Sequence, residues 1–220
     1  MRIKILLLFA ISFWIIIPAN SQINTGKFLL GGSFNFFSTK DAQNLQNSKS
    51  KSFHGNLQIG KAVKQNNVVG ITLSYGYSKF NFFNTSDSIK SSQFGAGIFY
   101  RKYKKLIKDF YFFGELNAGY EHSNYMQTYL QNNVQGFKTV TDGAFLSFIP
   151  GISYGICNRM QIEILIPNII NVAYSHYKTD YEGNPPAFFD QKGNTFSLNA
   201  NLNTNLLSNL GIGFKILLGK

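Results

Sequence analysis

The sequence predicts an all-β chain, an eight-stranded antiparallel up-and-down transmembrane β-barrel. Three observations predict it. Apolar and polar residues alternate with a period of two through segment after segment, as in a sheet with two unlike faces. The segments reach or exceed the roughly 9–11 residues with which a tilted strand crosses a bilayer. The connections alternate between long and short, as in a meander with loops at one end and turns at the other.

The N-terminus reads as an address. Arg2 and Lys4 precede an apolar run from Ile5 to Ile17 broken only by Ser12. That run is too short for a spanning helix, which needs about 20 apolar residues. Pro18 ends it, and small residues Ala19 and Ser21 stand just before Gln22. These are the n-region, h-region and cleavage site of a secretory signal peptide. The expected organisation is 1–21 signal peptide and 22–220 barrel. Gln22, not a cysteine, stands directly after the cleavage site, so lipid attachment there is not expected. Nothing later reads as a transmembrane helix, so a membrane-embedded mature chain must use strands.

The strands follow in order. Strand one, 27–37, sets Phe28, Leu30, Phe34 and Phe36 against Ser33 and Asn35. Strand two, 53–63, sets Phe53, Leu57, Ile59 and Val63 against His54, Asn56 and Gln58. Strand three, 67–80, sets Val69, Ile71, Leu73, Tyr75 and Tyr77 against Thr72, Ser74 and Ser78. Strand four, 92–102, sets Phe94, Ala96, Ile98 and Tyr100 against Gln93, Gly95, Gly97 and Arg101. Strand five, 110–121, sets Phe110, Phe112, Leu116, Ala118 and Tyr120 against Glu115, Asn117 and Glu121. Strand six, 143–156, sets Leu146, Phe148, Ile152, Tyr154 and Ile156 against Ser147, Gly151 and Ser153.

Strand seven starts near Met160, with Ile162, Ile164 and Ile166 opposite Gln161 and Glu163. Its alternation slips at 167–170 and resumes at Ile170, Val172 and Tyr174, which a one-residue bulge would accommodate. The last segment alternates from Phe196 through Leu198, Ala200 and Leu202 to Phe214, Ile216 and Leu218, against a series of Asn, Ser and Gly. A break near Asn205 would divide it. Long polar connections are expected at 38–52, 81–91, 122–141 and 177–193. Short ones are expected at 64–66, 103–109 and 157–159. Both chain ends then lie at the short-turn, periplasmic end.

Composition favours lipid over water around this sheet. Phe 22 and Tyr 12 accompany only 14% charged residues, where soluble domains carry about 25%. The mean hydropathy is nonetheless -0.08, because Asn, Ser, Gln and Thr supply the polarity. A soluble carrier barrel alternates too, with its apolar face inward. Here the polar faces hold few charges, and the apolar faces carry rings such as Tyr75, Tyr77, Tyr100, Tyr120 and Tyr174, suited to the headgroup level.

The formal charge is +11. Removing Arg2 and Lys4 leaves 19 basic and 10 acidic side chains, or +9. Many basic residues fall in the short turns (Lys61, Lys64, Lys102, Lys104, Lys105, Lys108, Arg159), where they suit anionic headgroups. No stacking motif or recognition helix accompanies them, so nucleic acid is not an expected partner. The one cysteine, Cys157, permits no internal disulfide.

On the inward face, Arg101, Glu115, Glu163 and Lys215 are expected to pair or stay hydrated. An eight-stranded interior is just wide enough for side chains to fill, so the expected barrel is plugged. His54 reads as a lumen residue. His122 and His176 lie beside Ser123 and Ser175 near the outer rim, with Glu121 and Asp180 as acids. Adjacent Ser and His point to opposite strand faces, so a catalytic set would need a partner from elsewhere. Asp180 and Glu182 could hold calcium weakly, but no metal-ligand spacing is present. No catalytic, cofactor-binding or metal residues are expected, and no cofactor. Loop aromatics Tyr125, Tyr129, Phe137, Tyr177, Tyr181, Phe188 and Phe189, with Pro185 and Pro186, could anchor a partner or cover the mouth.

The opening Phe28-Leu29-Leu30-Gly31-Gly32-Ser33, the Gly95-Ala96-Gly97-Ile98-Phe99 pattern and the closing Leu210-Gly211-Ile212-Gly213-Phe214 give the chain a family likeness. It resembles the outer-membrane β-barrel domain proteins of Bacteroidetes-type bacteria, similar in architecture to small OmpA/OmpX/OmpW-like barrels. The likeness covers nearly the whole mature chain through diffuse motifs. It implies a Gram-negative outer membrane and a porin-like fold, and carries no catalytic residues. Barrels of this kind often end on an aromatic residue. Here Phe214 is six residues short of the end at Lys220. A C-terminal peptidoglycan-binding domain is not expected.

The expected role is structural, surface-interacting or envelope-maintaining. The expected partners are outer-membrane lipid and lipopolysaccharide, the barrel assembly machinery, and an extracellular protein or surface ligand at the loops. A lipid-modifying enzyme and a narrow channel for small or apolar solutes are the alternatives. The enzyme requires a serine within reach of His122 or His176; the channel requires a wet path past Glu115 and Glu163.

Overall fold

The structure, a computed structural model, describes residues 23–43, 46–82, 88–128, 136–157, 159–166, 169–181, 191–200 and 210–219. The expected signal peptide, 1–21, and the expected break near Asn205 lie outside the described residues.

Among the described residues ten strands form one antiparallel sheet: β1 (Phe28–Gln43), β2 (Gln46–Lys64), β3 (Asn67–Phe82), β4 (Ser88–Ile107), β5 (Phe110–Thr128), β6 (Phe137–Cys157), β7 (Met160–Leu165), β8 (Ile170–Tyr181), β9 (Gln191–Ala200) and β10 (Gly211–Leu218). They make a ring of eight, because β7 and β8 are two parts of one wall position and β9 and β10 of the next. β1 through β6 pair in sequence order, and β6 pairs with both β7 and β8. The ring closes where β10 lies between β7 and β1, from Phe28 opposite Leu218 to Phe34 opposite Ile212. Above Phe34, among the described residues, β1 pairs with β2 and β9 with β8.

The alternation decides which face turns outward. Even residues of β1, β4, β5, β6, β7, β8 and β10 and odd residues of β2 and β3 form the apolar outer face. Phe28, Phe34, Ile71, Ile98, Leu116, Leu146, Ile164 and Ile212 are all exposed there. Water-soluble monomers rarely expose a continuous apolar band of this kind. The polar residues Gln58, Thr72, Asn117, Ser147 and Gln161 are buried inside. This is the orientation of a membrane barrel and the reverse of a soluble carrier.

The strands run further than their apolar alternation. The long connections expected at 38–52, 81–91, 122–141 and 177–193 are largely hairpin extensions: Gln43 pairs with Gln46, Asn81 with Ser88, Gln127 with Phe137 and Thr179 with Gln191. Beyond the membrane both faces of a hairpin meet water, so alternation disappears while the hydrogen-bond ladder continues. β4 likewise extends to Ile107, and Tyr103, expected in a turn, is a buried lumen residue.

The turns at the opposite end are short. Gln65 and Asn66 join β2 to β3, with Asn66 at φ 64°, a left-handed conformation that asparagine tolerates. Bulges adjoin these turns, at Ala62/Lys64, Lys105/Ile107 and Gly155/Cys157, as is common at barrel rims.

The slip near 167–170 is an insertion of two residues rather than one. Gly151 pairs with Leu165 and Phe148 with Ile170, so three steps along β6 face five along its partner. An insertion of two preserves parity, which explains why even residues face outward on both sides of it. Pro150, which has no N–H to donate, faces this break, and its carbonyl accepts from Ile166 N at 3.0 Å.

Cys157 is a free, exposed thiol beside the short turn to Met160. In intact cells a membrane-impermeant maleimide is expected to miss it. Labelling is expected once the outer membrane is permeabilised. Labelling at equal rates before and after would show the short turns to be at the cell surface.

Candidate functional site

The pleat turns Arg101, Glu115, Glu163, Lys215, Gln58 and Tyr103 into the lumen from β4, β5, β7, β10, β2 and β4. All are 2% exposed or less, so the site is closed to bulk water. Arg101 lies directly opposite Glu115 across the β4–β5 ladder. Its guanidinium reaches Glu115 Oε2 from Nε at 2.7 Å and from Nη2 at 2.6 Å. Nη1 donates to both Glu163 oxygens, at 2.6 and 2.8 Å. One planar cation thus bridges two carboxylates from the two strands that flank β6, a task suited to arginine's fixed fork of donors.

The remaining polar atoms complete the network. Gln58 Nε2 donates to Glu115 Oε1 at 2.8 Å, and Gln58 Oε1 accepts from Arg101 Nη2 at 3.1 Å and from Lys215 Nζ at 2.5 Å. Tyr103 OH accepts from Arg101 at 3.0 Å and donates to Glu163 at 3.2 Å. Lys215 Nζ is 3.8 Å from Glu163. Two cations meet two carboxylates, so the cluster is formally neutral. The Phe113 ring lies 4.3 Å beneath the guanidinium carbon, adding a cation–π contact.

The network divides the interior. Toward the short turns the lumen is mostly apolar, filled by Leu29, Val68, Phe99, Tyr111, Phe113 and Leu217 around the buried Ser153–Gln161 hydrogen bond, where a polar filling was expected throughout. The Phe99 ring fits because Gly60 and Gly70 oppose each other; a Cβ on either would come within 3.0 Å of it. Toward the hairpins lies a polar cavity of about 90 Å³, lined in part by Asn35, His54, Asn56, Thr72, Asn117 and Asn171. That volume holds several waters and is far below the roughly 300 Å³ of small ligand sites.

The sequence-derived candidates are divided by the same pleat. Arg101, Glu115, Glu163 and Lys215 converge as one site. Gln58 was legible as an inward residue, but its role as the connecting amide was not. Tyr103 carried no sequence signal. His54 faces the cavity. His122 and His176 face outward near the rim, and among the described residues no serine is a hydrogen-bond partner of either. His122 Nδ1 meets Asp142 at 2.7 Å, with Tyr120 OH donating to the same carboxylate; His122 Nε2 meets Asn124 at 3.1 Å. His176 meets Asn194 at 2.9 Å. Ser123, Ser175 and Glu121 lie on the opposite, inward face.

Asp180 is held by Lys178 at 2.7 Å, and Glu182 lies outside the described residues. No cluster of three metal-ligating side chains occurs among the described residues. Tyr125, Phe137 and Tyr181 form a chain of rings across three hairpin strands at 5.9 and 5.6 Å. Tyr129, Pro185, Pro186, Phe188 and Phe189 lie outside the described residues.

Among solved structures, the chain is similar to the outer membrane protein OprG from Pseudomonas aeruginosa, with 11% identity over 91% of this chain and 100% of that one, at TM-score 0.52. The fold is that of an outer-membrane β-barrel. Weaker likenesses are the translocator domain of autotransporter NalP from Neisseria meningitidis (13% identity, 90% of this chain, 66% of that one, TM-score 0.45) and Neisserial surface protein A (9%, 87%, 97%, TM-score 0.37). No protein-family model and no curated protein sequence matches the chain.

Replacing Arg101 strands two buried carboxylates. Arg101→Met is expected to cost about 3–5 kcal/mol, the penalty for breaking a buried pair from one side. Lys215→Met is expected to cost less, because the Lys215 hydrogen bond is to a neutral amide. Urea unfolding of the detergent-refolded barrel, followed by electrophoretic mobility without boiling, measures both.

Proposed function

We propose that the mature chain is an integral outer-membrane barrel with a sealed lumen, whose role is structural, surface-interacting or envelope-maintaining and is not catalytic. The ionic plug carries this reading. Arg101, Glu115, Glu163, Lys215, Gln58 and Tyr103 are all buried at one level and hold each other from four directions. An ion passing this level would have to break several charge-assisted hydrogen bonds at once, each among the stronger kinds in proteins. Below it, the mostly apolar filling offers a hydrated ion few partners.

The outer surface supports a lipid environment on both leaflets, with rings and lysines bounding the apolar belt. Lipopolysaccharide is the proposed outer-leaflet partner, the barrel assembly machinery the proposed insertion partner, and the extended hairpins the proposed contact surface for an extracellular protein or ligand. The outward-facing hydrogen bonds of His122 go to a carboxylate and an amide, and this favours a structural rim over a lipid-acting centre.

In planar bilayers the purified protein is expected to give no steady conductance. Arg101→Ser combined with Glu115→Ser, Glu163→Ser and Lys215→Ser is expected to give discrete ion steps where the parent gives none. Steady steps from the parent would sink the sealed reading. The lipids of a deletion strain are expected to match those of its parent, and a missing acyl or headgroup modification would restore the enzyme alternative.

A further inference from the structure

On the outer face of the hairpin end, three lysines stand directly opposite one another. Lys51 of β2 pairs in register with Lys79 of β3, and Lys79 pairs with Lys90 of β4. All three share the outward parity of Phe53, Tyr77 and Phe94, and Lys51 and Lys90 are exposed. Directly opposed side chains on neighbouring strands are about 5 Å apart at Cβ, and like charges so placed destabilise a sheet. Nothing within the three strands offsets this. β2, β3 and β4 contain no aspartate or glutamate over their whole lengths. Among the described residues no ion pair reaches the three lysines. Elsewhere on the outward face basic side chains have acidic partners: Lys178 has Asp180 and His122 has Asp142.

Height identifies what supplies the missing anion. The next outward row below the lysines is Phe53, Tyr77 and Ser92. Beneath it run Leu57, Leu73 and Ala96, then Ile59, Ile71 and Ile98. On β2 the apolar stretch ends at Lys61. The ten residues from Lys51 to Lys61, at about 3.3 Å each and a tilt of about 40°, span roughly 25 Å, the height of a barrel's lipid-facing band. The row therefore stands where the hydrocarbon of the loop-side leaflet gives way to headgroups. A phosphomonoester there carries about −1.5 to −2 charges, and lysine binds phosphate as a point charge.

We propose that the Lys51–Lys79–Lys90 row is a binding site for a phosphorylated lipid headgroup of the outer leaflet, the phosphate-bearing end of lipopolysaccharide. The inference rests on the outward orientation and lipopolysaccharide partner of the proposed function, and it assigns that partner a site. The lipid phosphate neutralises a row that no carboxylate balances among the described residues, while its acyl chains lie against the Phe53, Tyr77 and Phe94 side of the belt.

The full-length mature protein in phosphatidylcholine nanodiscs is titrated with bis-phosphorylated lipid A. Each lysine near an anionic surface contributes roughly fivefold, so Lys51→Gln, Lys79→Gln and Lys90→Gln together are expected to weaken binding about a hundredfold, and Lys79→Gln alone about fivefold. The triple arginine variant is expected to retain affinity, and Lys178→Gln to change it little. Lipid A stripped of both phosphates is expected to bind the parent no better than intact lipid A binds the triple glutamine variant. Unboiled electrophoretic mobility confirms that each variant is folded. Equal lipid A affinity for parent and folded triple glutamine variant overturns the site. Displacement of lipid A from the parent by millimolar inorganic phosphate overturns the lipid assignment in favour of a soluble anion. In intact cells, impermeant maleimide is expected to reach Lys192→Cys and not Cys157. The reverse pattern overturns both the orientation and the site, whereas lost affinity dependence with correct labelling overturns the site alone.

Discussion

Inside a hydrocarbon layer every backbone N–H and C=O must find its partner within the protein, because each unsatisfied group costs several kcal/mol. A sheet meets that demand only when it has no free edge at membrane depth. The short β10 strand meets it here, bonding β7 on one side and β1 on the other through Phe28–Phe34. With the ring closed, one face of every strand must meet lipid and the other must fill a narrow interior. The aromatic belt, the plug and the lysine row all follow from that division.

The interior satisfies a second demand, since charges enclosed by a wall whose outer face is lipid cannot rely on water. Four ionised groups survive there because they arrive as a neutral set with their hydrogen bonds completed by Gln58 and Tyr103. Such a cluster is weak evidence for stability in itself, because hydrophobic replacements of similar shape often do as well. Its value is positional. Arg101 draws together β4, β5 and β7, and Lys215 adds β10 through the shared amide of Gln58 on β2, so the cluster ties the closing strand to the far wall.

The outer surface obeys the same physics with a different outcome. Where a lysine has a carboxylate neighbour, as Lys178 has Asp180, the rim is balanced by the protein. Where β2, β3 and β4 carry lysines and no carboxylate, no described residue balances the row, and the proposed balance comes from lipid. The contrast is a feature of chemistry along the outer face and does not affect closure.

Much of the fold was legible in the sequence because strand parity is a local property: each side chain points opposite to its neighbour wherever the chain is extended. Parity alone placed Arg101, Glu115, Glu163 and Lys215 inside and His122 and His176 away from their adjacent serines. It also located the irregularity near 167–170. Parity failed where its signal fades. The hairpin extensions read as loops because both their faces are polar, and Tyr103 read as a turn residue because basic residues surround it. Whether one or two residues were inserted before Ile170 could not be read, because only the partner strand β6 counts them. Sequence by itself thus determined the sheet, its two faces and its inward charges, since these depend on alternation within a strand. Tertiary structure alone decided which charges meet, that Gln58 and Tyr103 complete them, and that three lysines distant in sequence stand side by side, since those depend on the register between strands.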